Sequence, residues 1–336
     1  MDFNFKTISE FNDFFKDEKT CYEYLESSWW GGVAVCPHCA TAKKPYTVKA
    51  RGKFTDIPSY RCSERACGLP FTVRTGSIFE GSKVELRKWL QAAYELSISK
   101  KGISSLELGI RIGVTQKTAW FINHRLRAML TETNPELLNG TIEADETFVG
   151  GKEKNKHKSK KVIRSTISRT LDVKVQVPKT MVLGLVQREG KVRTFVVPNR
   201  EAATLQNIMR ANVETNSRVI TDALTSYVEL RDVYDHISIK HTQGDFITYG
   251  DKHTNNIEGY WSILKRGIMG TFHFVSPQHL QRYCDEFALR YNTRKQSTAE
   301  RFNESLKNAQ NNRLTYRELT PNLPEPHRKA RYNKAK

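Results

Sequence analysis

Apolar positions along this chain change period several times, and each change marks a new element. Over residues 86–130, LRKWLQAAYELSISKKGISSLELGIRIGVTQKTAWFINHRLRAML, they recur at helical spacing. Within that run, SSLELGIRIGVTQKTAWFINHRLR predicts a helix, a turn at Gly113 and a second helix. The second helix begins at Thr115 or Gln116, with Thr115 placed as its N-cap. From residue 141, TIEADETFVGGK alternates as a strand does and breaks at Gly150 and Gly151. Residues 181–199, MVLGLVQREGKVRTFVVPN, predict two strands around a turn at 188–191. EAATLQNIMRANV is helical in pattern; SRVITDALTSY holds a short apolar strand ending at Asp222; HISIKHT offers another strand, and HTNNIEGYWSILKRG reads as a helix.

At 336 residues the chain is long enough for two or three domains. Hydrophobic residues make up 38%, with 16 Phe and 13 Tyr, which supports a sizeable core and excludes a disordered chain. No run of 18 apolar residues occurs, so no membrane-spanning helix is expected. The opening MDFNFKTISEFNDFFKDEK is dotted with acids and has no apolar h-region, so it is not read as a signal peptide. The expected compartment is the cytoplasm. Lys and Arg number 54 against 36 Asp and Glu, a net charge of +18. Such an excess points to a polyanionic partner, and nucleic acid fits it better than a membrane surface.

Six cysteines change the picture of the first hundred residues. Four of them cluster as CPHC, Cys36 and Cys39, and CSERAC, Cys62 and Cys67. Two thiol pairs about 20 residues apart, separated by a strand-rich stretch, predict a zinc ribbon holding one structural zinc. The second knuckle has four intervening residues where two are usual. Cys21 and Cys284 stand apart and read as small core residues. Upstream, Phe5, Phe11, Phe14, Phe15, Tyr22, Tyr24 and Leu25 predict a short helical layer packed on the ribbon. In the helical pair after it, Gln116, Lys117, Arg125 and Arg127 are the side chains proposed to reach DNA phosphates or base edges.

The acids complete the reading. The order strand, hairpin strands, helix, strand, helix, strand, helix fits a ribonuclease-H-like core, a mixed sheet with helices on both faces. In that topology an acid on the first strand and one at the end of the fourth lie side by side, and a later helix brings a third against them. Asp145, Asp222 and Glu258 fill these places. Three carboxylates at one spot repel unless cations lie between them, and two Mg2+ or Mn2+ ions would suit oxygen ligands and phosphodiester chemistry. Lys265 lies seven residues beyond Glu258, two turns along one helix face, where it would hold a DNA phosphate. In EADE, Glu143 and Asp145 share a strand face while Glu146 points to the other, so alternation alone leaves Glu143 open beside Asp145. His253 and Asn256 are placed either at the site or at the helix start.

The motifs CPHC, YRCSERACGLPFTVRTGSIF, EADETFVGGK, TDAL, HTNNIEGYWSILKRG and VSPQHLQRYCDEFALRYNTR occur in one order. Together they resemble the ISXO-like DDE transposases of bacterial insertion sequences, over residues 20–295. The resemblance implies a multidomain α+β chain, with a zinc ribbon and helical DNA-binding region before a retroviral-integrase-like, α/β catalytic domain. It implies Asp145, Asp222 and Glu258 as the triad, with Lys265 as the accompanying lysine, and it selects Asp145 over Glu143. Some members carry Asn or His at the third acid, where this chain has Glu. The implied boundaries are 1–30, an N-terminal helical segment; 31–80, the ribbon; 81–135, the helix-turn-helix-like region; 136–295, the catalytic domain; and 296–336, a basic tail. The basic stretch KEKNKHKSKK is expected to be a mobile loop able to touch DNA. The implied activity is cleavage and strand transfer at the element's terminal inverted repeats, by a homo-oligomer assembled on double-stranded DNA. A nuclease without strand transfer and a zinc-ribbon DNA-binding regulator are the alternatives.

Overall fold

A computed structural model of the chain describes residues 5–49, 57–131, 135–151, 179–239 and 253–321. The chain divides into two compact units, residues 1–131 with 295–336, and residues 132–294. The basic stretch KEKNKHKSKK lies outside the described residues.

The first unit opens with α1 (Ile8–Phe14) and α2 (Glu18–Trp30), capped by the side chains of Thr7 and Asp17. A small antiparallel sheet follows, β1 (Tyr46–Val48), β2 (Ser59–Arg61) and β3 (Pro70–Phe71) in that order. Next come α3 (Leu86–Ile98), α4 (Ser105–Ile112) and α5 (Gln116–Ala128). The turn between α4 and α5 falls where the sequence puts it. Gly113 takes a left-handed φ of 63° as the C-cap of α4, and the Thr115 hydroxyl accepts from the Thr118 amide at the start of α5.

Residues 296–321 of the expected tail carry helices, and residues 322–336 lie outside the described residues. α9 (Thr298–Lys307) and α10 (Tyr316–Leu319), numbered in chain order, belong to this first unit. Phe302 is fully buried among Phe5, Phe11 and Tyr94, and the Trp29 indole donates to the Leu306 carbonyl at 3.1 Å. A basic composition concealed an amphipathic helix whose apolar side completes an aromatic core.

The same return corrects two of the four residues expected at DNA. Arg125 is only 4% exposed; its Nε donates to the Leu314 carbonyl at 2.6 Å and an Nη to the Glu80 carbonyl at 2.8 Å. Its guanidinium also lies 4.8 Å from the Phe121 ring centre, and burial pulls its pKa down to about 10. Arg127 is buried as well. Both arginines serve the interior, whereas Gln116 and Lys117 are exposed on the first turn of α5.

The second unit is a five-stranded mixed sheet with the order β6-β5-β4-β7-β8. Its strands are β4 (Thr141–Val149), β5 (Thr180–Gln187), β6 (Val192–Val197), β7 (Arg218–Asp222) and β8 (Asp235–Ile239). β4, β5 and β6 pair antiparallel, while β7 runs parallel to β4 and β8 parallel to β7. Met181, Leu183 and Leu185 face α6 (Ala202–Asn212) and a 3-10 helix (Thr225–Asp232). Val182 and Val186 face α7 (Asn255–Gly267) and α8 (Leu280–Asn292). This period-two partition buries the sheet on both sides. It is the ribonuclease-H-like architecture. The β6 edge is closed by side chains of α8, since Val196 donates to Gln281 at 2.7 Å and Val192 to Asn292 at 2.7 Å.

Substitutions on α5 separate the two kinds of residue. Arg125→Ala leaves the Leu314 and Glu80 carbonyls without their donor and opens a cavity beside Phe121. It is expected to destabilise the first unit by about 2–4 kcal/mol. Lys117→Ala is expected to change stability by less than about 0.5 kcal/mol. Denaturant unfolding of the two variants checks the contrast.

Candidate active site

The parallel pairing of β4 with β7 stops early. Its register runs Thr141 with Arg218, Ile142 with Val219 and Glu143 with Ile220. Continued two residues, that register sets Asp145 beside Asp222 on the same side of the sheet, past the end of the pairing. The strands therefore form an open notch with an acid on each lip. One oxygen each from Asp145, Glu146 and Asp222 lie within 4.8 Å of one another.

Glu146 is the acid that alternation assigned elsewhere. It does leave β4 on the opposite face, where the Tyr227 hydroxyl of the 3-10 helix donates to it. Because no neighbouring strand fills the notch at that level, its carboxylate still reaches the cluster. Alternation gives the face of a strand but not where its pairing ends. Burial pushes the Glu146 pKa up to about 7, helped by the charges of Asp222 and Asp145 and opposed by the Tyr227 hydrogen bond. Asp145 is also raised, first by burial and less by the charges of Asp222 and Glu258, while its hydrogen bond from Trp261 works the other way.

Glu258 sits exposed on the first turn of α7. It is not one of the three clustered acids, yet its charge is felt at Asp145. Lys265 is exposed on the last turn of the same helix. Asp222 is half-buried at the end of β7, and one of its carboxylate oxygens accepts from the Leu224 amide at 3.2 Å.

Glu143 is fully buried. Its two oxygens accept from the Arg188 Nε at 2.9 Å, the Asn256 Nδ2 at 2.7 Å, and the backbone amides of Asn256 at 2.9 Å and Ile257 at 3.0 Å. Arg188 also donates to the His253 carbonyl at 2.8 Å. Asn256 and His253 thus belong to the helix start rather than to the acidic notch. The Thr254 side chain makes no cap bond, so a glutamate from the sheet satisfies the first amides of α7 instead.

Trp261 was not among the candidate residues. Its indole Nε1 donates to the Asp145 Oδ2 at 2.9 Å. The signal for it is Gly184, a glycine inside an otherwise apolar strand run, which marks a close approach to the sheet.

In the first unit the four thiols of Cys36, Cys39, Cys62 and Cys67 have sulfurs within 4.8 Å of one another. Sulfur separations of 3.8 Å for Cys36 with Cys67 and 3.5 Å for Cys39 with Cys62 are far too long for disulfides. A tetrahedral zinc with Zn–S bonds of about 2.3 Å has sulfur–sulfur edges of roughly 3.8 Å, so the set fits that ion. The Glu64 amide points at the Cys62 sulfur at 3.4 Å. Tyr60, Phe71 and Trp30 pack against the cluster. Cys21 and Cys284 are fully buried single thiols, as expected.

Fold and site together define a ribonuclease-H-like protein with an acidic notch, joined to a four-thiol ribbon. Comparison with known proteins gives the same pairing. The model of the ISXO2-like transposase domain matches residues 137–292, and that of the transposase zinc-ribbon domain matches residues 16–69. A Halobacterium salinarum protein described as an uncharacterized protein in transposable element ISH50 is 26% identical over 284 residues, covering 82% of this chain and 91% of that protein. An uncharacterized transposase-like protein of Haemophilus influenzae is 34% identical over 104 residues, covering 30% of this chain and 81% of that protein. The chain belongs to the ISXO2-like transposase family.

Two substitutions test the architecture of these sites. Glu143→Ala strands the largely buried Arg188 and uncaps α7, with an expected loss of about 3–5 kcal/mol read by thermal or urea unfolding. Cys62→Ser is expected to abolish stoichiometric zinc, measured by elemental analysis of chelator-free protein, and to unfold the ribbon while the second unit keeps its transition. Wild-type protein free of zinc would remove the metal assignment.

Proposed function

We propose that this transposase cleaves DNA at the ends of its own element and joins them to target DNA, using divalent ions held by Asp145, Asp222 and Glu258. The observation that carries the reading is the notch itself. Two aspartates of adjacent parallel strands face one another past the end of their pairing, beneath a helix whose first turn carries a third acid.

The residues fit the ions by their chemistry. Oxygens of Asp145, Asp222 and Glu146 lie within 4.8 Å of one another, and burial first, then mutual repulsion, raises the pKa of Asp145 and Glu146; Glu258 lies outside that set, and its charge is felt at Asp145. Magnesium takes such hard ligands and keeps water and phosphate oxygens as its others. When bound, two such ions would activate an attacking hydroxyl and stabilise the departing oxygen.

The chain's own contribution is placement. Asp145 is fixed on the central strand, Asp222 by the backbone amide that grips its carboxylate, and Glu258 by the clamp of Glu143 on α7. Lys265, exposed two turns beyond Glu258, would hold a phosphate of the bound strand. In cleavage, water oxygen forms a bond to phosphorus and the 3′ oxygen leaves. In joining, that 3′ hydroxyl attacks a target phosphate and a second 3′ oxygen leaves. Glu146, engaged by Tyr227, supports the notch from the other face of the sheet. The ribbon and the exposed start of α5, with Gln116 and Lys117, supply recognition of the ends. The net charge of +18 supports a DNA partner for the whole chain.

A labelled element end, a plasmid target and Mg2+ or Mn2+ provide the assay. Asp145→Asn, Asp222→Asn and Glu258→Gln should each lower cleavage and joining by orders of magnitude while end binding is kept. Glu146→Gln and Lys265→Ala should retain slow chemistry. An inactive Glu146→Gln beside an active Glu258→Gln would transfer the third ligand to Glu146. Cleavage without joining by the wild type would make the protein a nuclease.

A further inference from the structure

We propose that Trp261 is the positioning residue of Asp145, holding one carboxylate oxygen through its indole N–H so that the other faces the metal position. This rests on the reading of Asp145 as a metal ligand. The indole is 4% exposed and lies on the face of α7 that packs on the sheet with Ile257, Tyr260 and Leu264. Its Nε1 has no acceptor role, so the 2.9 Å bond to Asp145 Oδ2 fixes which atom donates and which accepts.

The sheet is shaped for that ring. Gly184 is the register partner of Asp145 on β5. A Cβ there would lie 2.6 Å from the Trp261 Cη2 and Cζ2 and 2.7 Å from the Ile257 Cδ1, too close for any side chain. Gly184 is not among the glycines with positive φ, so its backbone does not call for glycine. Glycine in a strand interior costs stability, and here the steric need for the indole accounts for it. The residue directly across from the aspartate has been reduced to hydrogen so that a donor from the helix above can reach that aspartate.

Neutrality suits the role. A lysine or arginine at this distance would add a positive charge where cations are to bind, whereas an indole orients the carboxylate without competing for it. Trp261 is also three residues after Glu258, on the next turn of α7. One helix therefore presents Glu258 and orients Asp145, so that any shift of α7 moves both together. Partners that orient a ligand in this way typically contribute about 10- to 100-fold to metal affinity.

The test uses the full-length protein and Mn2+, with binding measured by calorimetry alongside DNA cleavage. Trp261→Phe keeps most of the apolar packing and removes the donor. It should bind Mn2+ at least about tenfold more weakly and need correspondingly more Mg2+ for cleavage, with DNA-end binding unchanged. Gly184→Ala should lose metal affinity likewise, by pushing the ring away. Combining it with Trp261→Phe should relieve the clash with the ring and recover part of the thermal stability, yet leave affinity as low as in Trp261→Phe alone. Wild-type Mn2+ affinity in folded Trp261→Phe overturns the proposal, as does affinity restored in the double variant. A further measurement needs no variant. The 15N-labelled Trp261 indole of the wild type should be protected from exchange and should shift on addition of Mg2+; a freely exchanging, unresponsive indole overturns the proposal even if both variants fail to fold. Asp145→Asn is the control for the underlying reading. If it keeps Mn2+ binding and activity, the ligand assignment fails, and if it loses both while Trp261→Phe loses neither, only the positioning role fails.

Discussion

A buried carboxylate holds the proposed catalytic geometry together. Glu143 sits two residues before Asp145 on the central strand and takes four hydrogen bonds, two of them from the first amides of α7. An ionised acid with no solvent contact is costly unless its oxygens are filled by donors and a counter-charge, and Arg188 together with the helix N-terminus provides both. The consequence is rigidity between two elements that are distant in sequence. Asp145 is attached to the clamp through the strand, and Glu258 through the first turn of the helix. The separation of these two acids is thus set by a bond network between β4 and the start of α7.

The same device appears in the first unit. Glu85 precedes α3 without a side-chain cap, and the Glu18 carboxylate from α2 accepts from the Leu86 and Arg87 amides at 2.6 and 3.1 Å. Both helices lack the local N-cap that marks a helix start in sequence, and both obtain it from a glutamate more than sixty residues upstream. By contrast α4, α5 and α9 begin at Ser104, Thr115 and Ser297, each capping its own helix. Local caps make a helix legible, and remote caps make it a tertiary joint.

That distinction explains how far the sequence reading reached. Period-two alternation and apolar runs revealed all five strands of the second unit's sheet, because burial on one or both faces acts residue by residue. That an acid of β4 would lie beside Asp222 was legible from topology, while the choice of Asp145 over Glu143 came from the family resemblance. The cysteine spacing was legible because four thiols need one ion. What escaped depends on contacts that no local pattern carries. Glu146 reaches the notch only because the β4–β7 pairing ends at Glu143. Arg125 is interior only because residues 298–319 return to cover it, and a run of basic residues after Arg294 gave no sign of that return. Glu143 shares a face and a motif with Asp145, and its opposite role follows from what lies above it.

The two faces of α7 show why the lone acid and lone lysine of this helix are tolerated. Its buried face carries Ile257, Tyr260, Trp261 and Leu264, and from that face the Trp261 indole reaches Asp145 on the sheet. Its exposed side carries Glu258 in the first turn and Lys265 in the last. An acid near the positive end of the helix dipole and a base near the negative end each stabilise the helix by about 0.3–1 kcal/mol. The charges we assign to metal and phosphate therefore agree with the helix that bears them, and the helix needs no compensation elsewhere. The expense of the site falls instead on the sheet, in a strand glycine and a cluster of mutually repelling acids. Those two features are where local stability yields to chemistry, and both lie against Asp145.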